Sequence, residues 1–189
     1  MVITLSGVTG TGKSFLKKKI QEKLNLNNQI IYTTRPIRQD EQNGIDKFFV
    51  TDEEFDNLKN ANKILVTFEY LGYRYGYDAT QVKSDENTII ELHYEIIYEF
   101  KKEINKVFSI YIIPKDINIA KQNLRDRNLP QEQEKLRLEE IEEQANEFKN
   151  NVELQKQFDY ILYNNYDEDS INKIIEIVKE RMLILWEKK

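Results

Sequence analysis

The sequence contains no cysteine and a single histidine, His93. The first absence excludes disulfides and thiolate zinc sites, and the second excludes histidine metal clusters and a Ser-His-Asp triad. No run of 18 apolar residues occurs, and the start MVITLSG lacks the basic region and cleavage site of a secretory leader. These absences set the expectation of a cytoplasmic protein with no membrane span. With 40% apolar and 32% charged residues the chain is too apolar to be disordered, and 189 residues suffice for one domain with a real hydrophobic core. A net charge of −5 and a pI near 5.2 predict no general nucleic-acid partner, because such partners are bound through a basic stripe.

Glycine is scarce as well. Average usage of about 7% would give about 13, whereas the chain has 6, and none follows Gly76. Glycine serves positive φ and close backbone approach, so a sequence frugal with it marks places by concentrating it. Three of the six fall in Gly7-Val8-Thr9-Gly10-Thr11-Gly12-Lys13-Ser14, which fits the phosphate-loop (Walker A) pattern G-x-x-x-x-G-K-[ST]. The context is the required one. Residues 2–6 are an apolar run that predicts a strand, and 14–24 place Phe15, Ile20 and Leu24 among lysines in a helical pattern. In such a loop the backbone N–H groups turn inward around phosphate oxygens, and the following helix adds its partial positive charge. Lys13 is expected to reach the β- and γ-phosphates of ATP, and the Ser14 hydroxyl to take one coordination position on Mg²⁺. The motif specifies a triphosphate site without specifying a reaction.

Beyond the loop, residues 29–34 predict a second strand that stops before Arg35-Pro36. Thr51 and Glu54 have the spacing of a capping box, which predicts a helix over 52–59. Residues 64–70 predict a strand, with a hairpin around Gly72. From Thr88 the pattern alternates. Strands are expected at 88–92, 107–113 and 160–163, and helices near 95–104, 117–125, from Pro130 to about 155, and from about Ser170. Alternation of this kind means a parallel sheet with βαβ crossovers, an α/β fold. Residues 32–82 and 123–150 interrupt it and read as inserts. Tyr70, Tyr73, Tyr75 and Tyr77 alternate within the first insert, either as a base-stacking set or as an ordinary half-buried strand.

Five stretches give the chain a specific resemblance: GVTGTGKS at 7–14, YTTRPIR at 32–38, E-x-NG-x-D at 41–46, GYRYG at 72–76 and FDYILYNN at 158–165. In order and spacing they are similar to the guanylate kinases along essentially the whole chain. The resemblance implies a P-loop NTPase fold, with a parallel sheet core flanked by helices (1–31, 83–122 and 151–189), a small NMP-binding insert (32–82) and a helical lid (123–150). The implied activity is transfer of the γ-phosphoryl group of Mg·ATP to a phosphorylated acceptor, GMP or dGMP, with nucleotide substrates as partners. Arg35 and Arg38 match the arginines that grip the acceptor phosphate, and Tyr75 matches a tyrosine that hydrogen-bonds it. Guanidinium forks and a phenol suit that role chemically. Lys47 stands where the family has a phosphate-binding tyrosine. Arg127 and Arg137 match lid arginines that stabilise charge on the transferring phosphates, so Lys13, Arg35, Arg127 and Arg137 are the expected catalytic set.

The resemblance fails at the base. Where the family reads guanine, this chain has Ile31, Val66, Tyr77 and His93, and Glu69 takes the place of Val66 only after a register shift. Side chains of this kind cannot pair the guanine N–H groups. Glu91 occupies the family's acidic position at the end of a core strand, where ligands of open α/β sheets gather. It either orients Mg²⁺-bound water or a ribose hydroxyl, or it serves a cap or ion pair. His93 is either structural or an acceptor-site group. Loss of base readers with retention of phosphate grips leaves two alternatives open. One is a same-fold kinase with another acceptor, such as another mononucleotide or a ribose bisphosphate; the other is a non-catalytic nucleotide-dependent binding module. A GTPase switch is disfavoured, since no N-K-x-D motif is present.

Overall fold

The computed structural model describes residues 1–38, 41–83 and 86–186, so the last three residues of the expected core segment 151–189 lie outside it. The chain runs β1 (Val2–Gly7), α1 (Lys13–Leu24), β2 (Asn27–Asn28), β3 (Ile31–Thr33), β4 (Phe48–Phe49), α2 (Asp52–Asn60), β5 (Ile64–Tyr70), β6 (Tyr73–Asp78) and α3 (Ala79–Val82). It continues through β7 (Thr88–Glu91), a single 3₁₀ turn and α4 (Ile97–Glu103), then β8 (Val107–Pro114), α5 (Ile117–Arg125), α6 (Gln131–Asn150), α7 (Val152–Gln155), β9 (Tyr160–Asn164) and α8 (Glu168–Trp186). Five parallel strands in the order β2-β7-β1-β8-β9 form the main sheet.

Both faces of that sheet are covered, which explains why its strands read as continuous apolar runs. Ile3, Leu5, Ile89, Ile110, Ile112 and Leu162 meet Leu16 and Ile20 of α1 and Ile171, Ile174 and Val178 of α8. Val2, Ile90, Leu92 and Tyr111 face the other way, against Ile97 and Phe100 of α4 and Phe148 of α6. No helix among the described residues is long and apolar enough to cross a membrane.

A second sheet, in the order β4-β3-β6-β5, stands apart from the first. Strands β3, β6 and β5 are antiparallel to their neighbours, and β4 joins β3 in parallel. The capping box forms as the spacing requires: Glu54 N–H donates to Thr51 Oγ1 (3.2 Å) and Thr51 N–H to Glu54 Oε2 (2.8 Å).

Three expectations need correction. The strand read at 29–34 is shortened to Ile31–Thr33, which joins the second sheet, while Gln29 is buried and its side chain bonds the Asp78 carbonyl. On α1, Phe15 is 54% exposed, and the buried pair is Leu16 with Ile20, one turn apart. The helix read as continuous to 155 breaks at Asn151, whose side chain accepts from Leu154 N–H (3.0 Å) and starts α7. The last helix begins at Glu168, close to the expected start near Ser170, and the Asp167 carboxylate accepts from Ser170 N–H (2.9 Å).

Strands β5 and β6 are joined through Leu71 and Gly72, both at positive φ (51° and 76°). Two consecutive positive-φ residues mark a type I′ turn, where asparagine suits the first position and leucine does not. Leu71 is 54% exposed, so little packing opposes its replacement. Leu71→Asn is expected to raise unfolding stability by about 1 kcal/mol, read as a higher urea midpoint at unchanged slope. An unchanged or lower midpoint would show that the turn is not strained.

Candidate active site

The Gly-rich loop, residues 7–14, leaves β1 at its carboxyl end and enters α1, and a cavity of about 1090 Å³ opens there between the two sheets and α6. Six cationic side chains line it: Lys13, Arg35, Arg38, Lys47, Arg127 and Arg137. Among the described residues only two carboxylates do, Glu41 and Glu91, although the chain as a whole carries −5. A walled cleft of one sign focuses field and concentrates anions.

The loop is built by close approach and held from behind. A Cβ on Gly10 would lie 2.2 Å from the Ala120 carbonyl oxygen of α5, so no other residue fits there. The Gly10 carbonyl accepts from Asn123 Nδ2 (2.9 Å) and from the Tyr166 hydroxyl (3.1 Å), and the Thr11 carbonyl accepts from Asn164 Nδ2 (2.9 Å). With its carbonyls tied outward, the loop can turn its N–H groups toward the cavity. Asn123, Asn164 and Tyr166 carry no chemistry of their own and were not expected from sequence, although Asn164 lies in the FDYILYNN stretch.

Lys13 Nζ donates to the carbonyls of Gly7 and Val8, both at 2.8 Å. Burial lowers its pKa to about 8, with the Glu91 carboxylate opposing that shift and Arg127 and Arg137 adding to it. The Ser14 hydroxyl makes no hydrogen bond among the described residues and faces the same cavity. Val8 lines the loop only through its backbone, because its side chain is buried with Leu124 and Ile141.

Helix α6 brings Arg137 onto the loop. Its Nη2 donates to Thr9 Oγ1 (2.9 Å), and its guanidinium lies 5.6 Å from the centre of the Tyr70 ring. One turn on, Glu140 accepts from the Tyr70 hydroxyl (2.5 Å), so a polar bridge runs from β5 through α6 to the phosphate loop. Arg137 Nε and Glu140 Oε2 are buried without a hydrogen-bond partner and form an ion pair at 3.6 Å. Arg127 sits at the rim. Partial burial of its guanidinium, then Arg137 and Arg38, lower its pKa.

On the other side Arg35 is clamped. Its Nη2 donates to both Glu41 carboxylate oxygens (2.7 and 2.9 Å) and its Nη1 to the Pro36 carbonyl (2.7 Å). Burial would raise the Glu41 carboxyl, but the bonds from Arg35 and from Arg38 N–H outweigh it and hold the carboxyl below its usual range. The side chains of Arg38 and Lys47 make no hydrogen bond or ion pair among the described residues. Tyr75, Glu91 and His93 also line the cavity, and burial lowers the His93 pKa, which favours the neutral ring.

One expected residue is not brought in. Glu69 is exposed and faces away from the cavity. The register shift does occur, as a bulge at Val66, which sits at φ 41°. It turns Phe68 inward in place of Glu69, since a one-residue slip exchanges the faces of a strand.

Comparison with known proteins points one way. The description "Guanylate kinase" matches residues 1–182. The guanylate kinase of Rickettsia prowazekii (strain Madrid E) is 31% identical over 184 residues, covering 94% of this chain and 90% of that protein. That of Malacoplasma penetrans (strain HF-2) is 29% identical over 193 residues, covering 96% and 94%. The crystal structure of guanylate kinase from Anaplasma phagocytophilum shares the fold, with a TM-score of 0.73 at 22% identity over 95% of this chain and 85% of that one.

The lowered Lys13 pKa gives a proton signature. A polyphosphate in the loop favours the ammonium and raises the pKa, so binding near pH 8 takes up about half a proton. Calorimetry of ATP binding in buffers of different ionisation enthalpy is expected to show that uptake, with none in Lys13→Met. Equal proton counts for the two proteins would contradict the assignment.

Proposed function

The chain belongs to the guanylate kinase family, and on that premise we propose that it transfers the γ-phosphoryl group of Mg·ATP to a nucleoside monophosphate bound on the second sheet. One observation carries the reading: six cations converge on a complete phosphate loop, some from the loop side and some from the acceptor side. In this division residues 32–82 form the acceptor-binding insert, 123–150 the lid, and the remainder the core. The reading includes a cytoplasmic location, the compartment that supplies Mg·ATP.

Phosphoryl transfer asks little covalent chemistry of a protein and much positioning. The donor β- and γ-phosphates would lie in the loop, with Lys13 turning from the Gly7 and Val8 carbonyls to them. Arg137, already tied to Thr9, and Arg127 at the rim supply positive charge where negative charge spreads in the transition state. The acceptor phosphate is gripped by Arg38, by the N–H groups Arg35 has left after its bonds to Glu41, by Lys47 and by the Tyr75 hydroxyl. Attack is in line, with no covalent enzyme intermediate, and closure of insert and lid excludes water as a competing acceptor.

Ser14 and Glu91 fit a magnesium site, since the free hydroxyl and the carboxylate are hard oxygen donors on the same cavity wall. Mg²⁺ is commonly held by few protein oxygens together with substrate phosphates, so two donors suffice. The ion would neutralise phosphate charge as transfer proceeds.

The complete loop, its lysine and the arginines that share the cavity support catalysis over a purely binding role. Arg137→Ala is expected to lower kcat about 10²- to 10³-fold, and Lys13→Ala to abolish measurable transfer. Both variants should keep a native circular dichroism spectrum. Phosphorylated acceptor formed by Lys13→Ala at a rate within tenfold of the native enzyme would refute the reading.

A further inference from the structure

The cavity wall away from the phosphate loop is made of rings. Phe68 stacks on Tyr75, with centroids 5.0 Å apart and 16° between planes, and lies 5.4 Å from His93. Tyr70 lies 5.0 Å from His93, which stacks on Tyr94 at 5.0 Å. Tyr77, fully buried, packs 6.3 Å from Phe68 and pairs in register with Ile31. All of these residues line the cavity.

The bulge at Val66 creates this wall. Leu65 pairs with Tyr77, but beyond the extra residue Thr67 pairs with Gly76, Phe68 with Tyr75, and Glu69 with Arg74. Directly opposed residues of an antiparallel pair share a face, so Phe68 joins Tyr75 and Tyr77 while Glu69 goes outward with Arg74. Counted without the bulge, Glu69 would oppose Tyr73 and its carboxylate would share the face of Tyr75 and Tyr77.

The polar atoms of the wall are committed elsewhere. The Tyr70 hydroxyl donates to Glu140 (2.5 Å), that of Tyr94 to Glu147 (2.8 Å), and that of Tyr77 to the Glu91 carbonyl (3.3 Å). Gln144 Nε2 donates to Glu140 (3.0 Å). The exceptions are the Tyr75 hydroxyl and His93 Nδ1, which is buried without a hydrogen-bond partner and lies 3.6 Å from Glu95 Oε2.

We propose that this wall receives the acceptor's base and holds it by stacking and shape, without reading its hydrogen-bonding edge. Transfer then discriminates little among purine and pyrimidine monophosphates. The proposal rests on the kinase reading above. Every base has a π-face, so stacking tolerates them all while contributing roughly 5- to 150-fold in affinity. Discrimination of 10⁴-fold needs buried polar groups that the wrong substrate leaves unpaired. His93 Nδ1 and the Gln144 amide oxygen are left to meet an edge, and each neutral hydrogen bond is worth about tenfold.

The test is a set of initial rates with the full chain and Mg·ATP, using GMP, AMP, CMP and UMP, and ribose 5-phosphate as the base-free acceptor. The expected result is kcat/KM for the four mononucleotides within about 100-fold of one another, with ribose 5-phosphate at least tenfold below the weakest. Phe68→Ala, or Phe68→Leu where the alanine variant does not fold, is expected to raise KM for all four by similar factors. A preference for one base beyond 100-fold overturns the proposal, leaves the kinase reading intact, and assigns edge reading to His93 or Gln144. Ribose 5-phosphate performing as well as the mononucleotides overturns it as well. No transfer to any acceptor removes the kinase reading and this proposal with it.

Discussion

Like charges gathered in one cleft are the constraint on which the rest of the molecule depends. Two unit charges about 7 Å apart at an effective dielectric constant of 20 repel by about 2 kcal/mol, and six cations share this cavity with two carboxylates. The response is visible in each group. Lys13 turns onto the Gly7 and Val8 carbonyls with its pKa lowered, Arg35 is neutralised by Glu41, Arg137 pairs with Glu140, and burial together with Arg137 and Arg38 lowers the pKa of the rim arginine Arg127. Each strained electrostatic arrangement is relieved by the same species, a chain of phosphates. The site is therefore organised around charge that the substrates supply.

Those cations are positioned by apolar packing and by side-chain hydrogen bonds. Two apolar faces clamp the parallel sheet between α1 and α8 on one side and α4 and α6 on the other. That clamp fixes the carboxyl ends of β1 and β7, where Lys13 and Glu91 emerge. Asn123, Asn164 and Tyr166 then tie the loop's carbonyls outward. The bridge from Tyr70 through Glu140 and Arg137 to Thr9 joins the second sheet, α6 and the loop.

Features whose cause is local were legible in the sequence. The phosphate loop is a contiguous octapeptide, the Thr51–Glu54 capping box spans four residues, and the βαβ alternation after Thr88 reports a sheet covered on both faces. Features whose cause is distant were not. Nothing in the sequence near Val66 announces a bulge, yet that one residue exchanges Glu69 for Phe68 at the acceptor wall. The buttress residues act on carbonyls more than 100 residues away in the chain, at Gly10 and Thr11. Phe15 and Leu16 are adjacent apolar residues, and only packing against the sheet decides that Leu16 goes inside. The shortened strand at Ile31–Thr33 and the break at Asn151 accompany side-chain bonds that compete with regular structure.

The most direct measurement of the central claim is equilibrium binding of one molecule that joins adenosine to a second nucleoside through five phosphates. If donor-side and acceptor-side cations converge on one continuous phosphate path, this molecule engages both halves at once. It should then bind at least about tenfold more tightly than ATP under the same salt conditions. Affinity no greater than that of ATP would mean that the two groups of cations do not face a common path, and the account of the site would fail.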